Sequence, residues 1–437
     1  MEKHIIKDNY FFLKFDNEND MYVALASYLK DGYTITDSIH LCVEVSNENE
    51  SLLLGWIDVE INEDLKDNLK KLDKDFEISY PNYSNCMLNI ISAIRVNYGY
   101  SHHYAPCDYL FDKKYKNVIV FLLDGMGLDV LEYNLPEDSF LRRNIVHINS
   151  AIYPSTTAAS TTATKCGLSP LESSWTGWEN YLREANRNLI LFNGINYFTD
   201  EPTGISLYNY IPYKMFYHDM DVNGVVVEPD FRNHNHKIKE LTKRSLKLLR
   251  GSAKPMVQYV YFTDPDGIMH ETGTDSTQTK KVFEELDRKM ESYAKKLPKD
   301  TLLIISADHG HINCKQIDIY NCEPLLNLLN RRPSNDARCI SFSVKKGKYK
   351  EFELLFNSLF GYAYKLYKTK DAIKKGFFGK PDDNINPRID DFLADYVAVA
   401  TKDYYFNYKG KDSHLFLSHH AGITRNEMLV PVIVIRR

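Results

Sequence analysis

Three times along the chain a continuous apolar run of strand length ends in an aspartate. Asn117-Val118-Ile119-Val120-Phe121-Leu122-Leu123 leads into Asp124-Gly125-Met126-Gly127. Val257 to Phe262 leads into Asp264-Pro265-Asp266-Gly267-Ile268-Met269-His270, and Thr301 to Ala307 into Asp308-His309-Gly310-His311. A strand wet on one face alternates apolar and polar residues. One that is apolar throughout is buried on both faces, as in a parallel sheet covered by helices. Amphipathic stretches fit that cover: Asn85–Tyr98 with Leu88, Ile91, Ile94 and Val96, Lys237–Leu249, and Ser276–Lys296 with Val282, Leu286, Met290 and Tyr293. The alternation predicts an α/β fold, a mostly parallel sheet sandwiched between helices. Open sheets of this kind bind ligands beyond the carboxyl ends of their strands, where these aspartates fall.

A chain of 437 residues exceeds one typical domain, and its 43% hydrophobic content supports a large core. Residues 1–85 mix short apolar runs with acidic, Asn-rich connections and predict a small N-terminal α/β extension. The catalytic core is expected over 86–311 and 416–437, ending on a β-rich tail from Met428 to Ile435. Between them, 312–415 carries Arg-Pro and Lys-Lys breaks, Lys-rich stretches and a Pro-Asp-Asp-Asn segment at Pro381, and predicts an inserted cap or lid. Such lysine runs usually form a solvated face. The net charge of −5 lacks the basic excess of a nucleic-acid binder, so no binding to a nucleic-acid duplex is expected. The start of the chain has no apolar signal-like stretch, and no run approaches the ~20 apolar residues of a membrane helix. Seven scattered cysteines without a C-x-x-C pair point to reduced thiols. These features predict a soluble cytoplasmic protein.

Between the first two runs lies Tyr153-Pro154-Ser155-Thr156-Thr157-Ala158-Ala159-Ser160, continuing through small residues to Cys166-Gly167. Pro154 fits the entrance to a helix, with hydroxyl residues at its first turn. There, unpaired amides and the positive end of the helix dipole favour an anion. Hydroxyls at such a place also cap helices, but Thr157 is the candidate nucleophile. The carboxylates decide how the stretch is weighed. Asp266 and His270 are four apart, Asp308 and His309 adjacent, and His420 lies in Ser418-His419-His420-Ala421-Gly422. Carboxylate oxygen with imidazole nitrogen suits zinc or another borderline divalent ion. Burying so many charges together without one would cost several kcal/mol per ion.

This ordered set resembles the alkaline phosphatase superfamily, nearest to its nucleotide pyrophosphatase/phosphodiesterase branch, over roughly residues 115–310 and 416–437. The resemblance implies two divalent ions, zinc or alternatively manganese, ~4 Å apart. It implies that Asp124, Asp308, His309 and Thr157 hold one, and that Asp266, His270 and His420 hold the other. His420 is preferred to His419 because His-Ala-Gly-Ile-Thr-Arg-Asn-Glu-Met runs in step with the family's His-Gly-Gly-x-x-x-x-Glu-Met ending. Thr157, third after Pro154 as in the family, would attack phosphorus to form a phospho-threonine, with Thr157, the amide of Ala158 and Ser160 contacting the phosphate. Ser160 stands where the family usually carries Asn, and Pro170-Leu171-Glu172-Ser173-Ser174 replaces its Pro-x-x-His-Gly. The implied function is hydrolysis of phosphate esters, favouring diesters or nucleotide pyrophosphates, with a small-molecule ester or nucleotide as substrate. Alternatives are phosphonate cleavage or phosphoryl mutase chemistry on the same core, and a non-catalytic metal-binding interaction or defence protein. Trp175, Trp178 and Tyr181 could line a leaving-group pocket, although core packing is commoner for such residues. Oligomeric state is left open.

Overall fold

A computed structural model describes residues 1–72, 74–231 and 237–437. The chain divides into two compact units. One comprises 1–77, 315–371 and 393–415, and the other 78–314, 372–392 and 416–437. The N-terminal segment and most of the expected inserted module therefore share one unit. Residues 372–392 of that module fall with the candidate catalytic residues.

The unit of 78–314, 372–392 and 416–437 is built on a six-stranded sheet. In chain order its strands are β1 (Asn117–Leu123), β2 (Ile145–Ser150), β3 (Asn223–Val227), β4 (Met256–Phe262), β5 (Thr301–Ser306) and β6 (Leu429–Arg436). Their order across the sheet is β3-β4-β1-β5-β6-β2. The first four run parallel, and β6 is antiparallel to both its neighbours. Every residue of β1, β4 and β5 is buried, which explains their unbroken apolarity.

Alternate residues serve the two faces. Val118, Val120 and Leu122 pack with Ile90, Ile91 and Ile94 of the helix Met87–Asn97, and on the other face Phe121 meets Tyr293 of Thr277–Ala294 edge-on, 5.9 Å between centroids. Fully burying each of those isoleucines contributes about 1.5–3 kcal/mol, enough to fix the helix to the sheet. Ser276 caps the helix Thr277–Ala294, accepting from the Thr279 amide at 3.0 Å. Two positions differ from the amphipathic pattern read in sequence. Val96, at the end of its helix, is exposed, and Phe283 rather than Val282 begins the buried stripe.

The other unit carries a five-stranded mixed sheet made by the strands Glu2–Lys7, Tyr10–Lys14, Thr34–Ile39, Cys42–Ser46 and Ser51–Gly55. Its later segments join through a parallel pairing of Lys315–Asp318 with Tyr404–Asn407. Among the described residues no helix is long and apolar enough to cross a membrane.

Candidate active site

Register brings the aspartates together. Leu123 lies opposite Phe262 and Leu122 opposite Ser306, so β1, β4 and β5 end level. The chain leaving β1 is tied to that leaving β4, because the Asp266 amide donates to the Asp124 carbonyl at 3.0 Å. The crossing is tight. Gly125 has φ +70°, and a Cβ there would lie 3.0 Å from the His311 ring and 3.1 Å from Asp266 Cα. At Gly310 a Cβ would meet the Asn426 carbonyl oxygen at 1.9 Å, so only glycine lets the Asp308-His309 turn pass the backbone of the short helix Arg425–Met428.

Asp124, Asp308 and His309 form one buried donor group. The Asp308 Oδ1 atom accepts from the amides of Gly125 at 3.0 Å and His309 at 3.1 Å. Tyr261 donates its hydroxyl to Asp124 Oδ2. His309 Nδ1 meets the Gly310 carbonyl at 3.0 Å, which turns Nε2 inward to 3.3 Å from Asp124 Oδ1 and 3.7 Å from Asp308 Oδ2. Thr157 Oγ1 lies 3.3 Å from the same Nε2. The helix of Thr157, α1 (Thr157–Cys166), has Thr156 as its cap, so Ser155 and Thr156, expected with Thr157 at the first turn, precede it. Its first i→i−4 bond is Ser160 N–H to Thr156 O at 3.0 Å, which leaves the amides of 157–159 outside the helical ladder.

Asp266, His270, His311 and His420 form a second donor group. Asp266 opens the short helix Asp266–Thr272, and His270 follows one turn later on the same face. His420 leaves the two-residue strand Ser418–His419, paired with Ile312–Asn313. His270 Nδ1 meets the Ser418 carbonyl at 2.8 Å and His420 Nδ1 the Ser155 carbonyl at 3.1 Å, so both rings present Nε2 to Asp266. The two groups adjoin: the His309 and His420 rings stack with centroids 3.9 Å apart.

The charge distribution asks for cations. Burial, with Asp308 and Asp266 nearby, pushes the Asp124 carboxyl well above the usual range, and burial raises Asp308 as well. Burial opposes charge on His309, yet Asp308 and Asp124 outweigh it and push that imidazole up to about 10. In the second group burial acts to raise Asp266, but His270 and His311 hold it well below the carboxylate range. Asp124 Oδ1 and Asp308 Oδ2 are buried and accept no hydrogen bond. Orphaned carboxylate oxygens beside an inward imidazole nitrogen are what a divalent ion would satisfy. The residues fit the implied pair of ions.

A consequence is measurable. Around pH 7.5 the ion-free protein holds a proton on His309 that an ion bound at Nε2 must displace. Zinc titration in weak buffer should release at least about one proton, and apparent affinity should rise about tenfold per pH unit from pH 7 to 9. Zinc binding without proton release would contradict this arrangement.

The structure brings Asp124, Thr157, Asp308 and His309 together, and likewise Asp266, His270 and His420. Ala158 is fully buried in a cluster with Trp175 and Leu182. Ser160 donates to the Ile152 carbonyl at 3.3 Å. Trp175 is core, its Nε1 donating to the Ile211 carbonyl at 3.1 Å, whereas Trp178 is 42% exposed against Phe192. The Tyr181 hydroxyl turns to Asn186 Oδ1 at 2.8 Å. His311 is the residue that sequence reasoning passed over. Its only sequence signal is its place two residues after His309. A third group brings together His103, Glu172 and Asp383, with His103 Nε2 3.1 Å from Glu172 Oε1. Its carboxylates accept from the hydroxyls of Tyr104 and Ser169 and from the Lys380 amide, which ties three loops together.

Residues 178–423 match the family described as type I phosphodiesterase / nucleotide pyrophosphatase. That range holds Asp266, His270, Asp308, His309 and His420 but begins after Asp124 and Thr157. Among solved structures, murine ectonucleotide pyrophosphatase/phosphodiesterase 5 is similar at 17% identity and TM-score 0.54, over 73% of this chain and 88% of that one. An inactive variant of it in complex with AMP is similar at 17% identity and TM-score 0.53, over 72% and 87%. Phosphonoacetate hydrolase from Sinorhizobium meliloti, in complex with phosphonoformate, is similar at 13% identity and TM-score 0.54, over 75% and 92%. At these identities the likeness is one of fold.

Proposed function

The chain belongs to the type I phosphodiesterase / nucleotide pyrophosphatase family, and we propose that it hydrolyses phosphate diesters or nucleotide pyrophosphates through a phospho-threonine at Thr157. The observation that carries this reading is the Thr157 hydroxyl, at a helix start, 3.3 Å from His309 Nε2 and beside two carboxylate–imidazole groups. Zinc or manganese ions, one in each group, would supply positive charge to the oxygens exchanging at phosphorus.

The chain's own residues account for the rest. Thr157 Oγ1 forms a bond to phosphorus as the bond to the leaving oxygen breaks. The leaving oxygen takes a proton and the Thr157 proton is lost to solvent. Water then attacks phosphorus, freeing the Thr157 hydroxyl and the phosphate product. The Ala158 amide, which lies outside the helical ladder, would donate to a non-bridging oxygen. For Ser160 to help, its hydroxyl would turn from the Ile152 carbonyl, where its 3.3 Å bond is long. All seven cysteines are thiols, which supports a reducing, cytoplasmic setting.

The test is turnover by purified protein with zinc or manganese on bis-p-nitrophenyl phosphate, p-nitrophenyl phosphate and phosphonoacetate. The diester should turn over fastest, and Asp308→Asn should lower that rate more than about 100-fold, since it removes a ligand rather than a supporting contact. Faster cleavage of the monoester or phosphonate would move the assignment to that substrate. Two bound ions with no turnover on any of them would make the protein a non-catalytic metal binder.

A further inference from the structure

His311 points its Nε2 at the same carboxylate oxygen as His270 and His420, yet its distance sets it apart. Asp266 Oδ1 lies 3.4 Å from His270 Nε2, 3.6 Å from His420 Nε2 and 2.6 Å from His311 Nε2. Oxygen and nitrogen donors about 2.0–2.1 Å from one tetrahedral ion lie ~3.3–3.4 Å apart; the first separation matches this and the second is slightly longer. A separation of 2.6 Å would need an angle of roughly 80° at the ion, and is instead a short hydrogen bond.

The other side of the ring is held as well. His311 Nδ1 lies 3.0 Å from Ser418 Oγ, which also lies 2.6 Å from the Met269 carbonyl. The carbonyl of the same Ser418 meets His270 Nδ1 at 2.8 Å. One serine therefore sets the ring planes of both His270 and His311. The His311 ring is wholly buried, and the space a Gly125 side chain would need lies against it.

We propose that His311 is a positioning residue for the second ion: it donates from Nε2 to Asp266 Oδ1 and is held in turn by Ser418. The second centre is then built from three donors, Asp266, His270 and His420, and keeps a coordination position open for substrate. Four protein donors would close a tetrahedral site, as structural zinc sites are closed. The inference rests on the two-ion reading above.

The experiment uses the full chain. Chelator competition on the wild type, His311→Ala, His311→Gln and Ser418→Ala gives a dissociation constant for each of two zinc ions. Visible spectra of the cobalt-loaded forms report the donor set. His311→Ala should weaken one ion by about 10–100-fold, leave the other unchanged and keep the cobalt spectrum of the wild type. Glutamine, whose amide can still donate to Asp266, should restore most of the loss. Ser418→Ala should weaken the same ion by a smaller factor, and it decides the matter if the alanine variant at 311 does not fold.

Unchanged constants in all three variants would overturn the proposal. So would a cobalt spectrum showing the loss of a nitrogen donor in His311→Ala, which would make His311 a ligand. Wild-type protein that binds fewer than two ions would overturn the two-ion reading itself, and the positioning role with it.

Discussion

Thr157→Ala is expected to lower kcat on a phosphate diester by more than about 10^4-fold, the scale on which loss of a covalent nucleophile is felt. The first ion would keep Asp124, Asp308 and His309, so metal content should stay near that of the wild type. Thr157→Ser keeps a hydroxyl at the helix start and should stay within about tenfold of wild-type turnover. The pair of variants separates the two readings of this stretch. A hydroxyl that merely caps α1 would cost ~1 kcal/mol of stability when removed and little activity. The structure already weakens the capping alternative, because Thr157 is the first helical residue and Thr156 occupies the cap position. Full turnover by Thr157→Ala, with two ions bound, would remove the phospho-threonine from the mechanism.

Removing the ions should both abolish turnover and lower thermal stability. Without them, two buried carboxylate oxygens, on Asp124 and Asp308, accept no hydrogen bond and lie 3.3 and 3.7 Å from His309 Nε2. An ion present at 1,000 times its dissociation constant stabilises the fold by ~4 kcal/mol, or roughly 5–10 °C in Tm for a unit of this size. The gain should grow with pH. His309 is raised above its unfolded value, so its contribution to the ion-free fold is complete below about pH 6.5 and fades as pH approaches about 10. Over the same interval ion affinity rises, because fewer protons compete for Nε2. Thermal melts with excess chelator and with zinc, at pH 7 and pH 9, measure both trends. A zinc-induced shift that is absent, or that shrinks at pH 9, would contradict the proposed arrangement of charges.

Much of this site was legible in the chain because its parts are local. A strand buried on both faces must be apolar at every position, so β1, β4 and β5 announced themselves along with the aspartates at their ends. The four-residue spacing of Asp266 and His270 is one helical turn, and it places both groups on one face wherever the helix lies. The stripe on Thr277–Ala294 was read to within one residue, because helical period is also a local property. Val96 misled because periodicity does not say where a helix stops.

What the sequence by itself determined, then, is the α/β class, the strand ends that carry the aspartates, and the helix start that carries Thr157. Tertiary structure alone decided what lies against them. His311 bonds to Asp266 because Gly310 lets the chain turn back, and because Ile312 pairs with His419 across more than a hundred residues and brings Ser418 beneath both rings. The grouping of 315–371 with 393–415 depends likewise on distant contacts such as the pairing of Lys315 with Tyr404, and their grouping with 1–77 on contacts such as the Asp318 amide donating to Glu18 Oε2 at 3.0 Å. Register between remote strands is set by the sum of many side-chain contacts, none of which leaves a mark at either position alone.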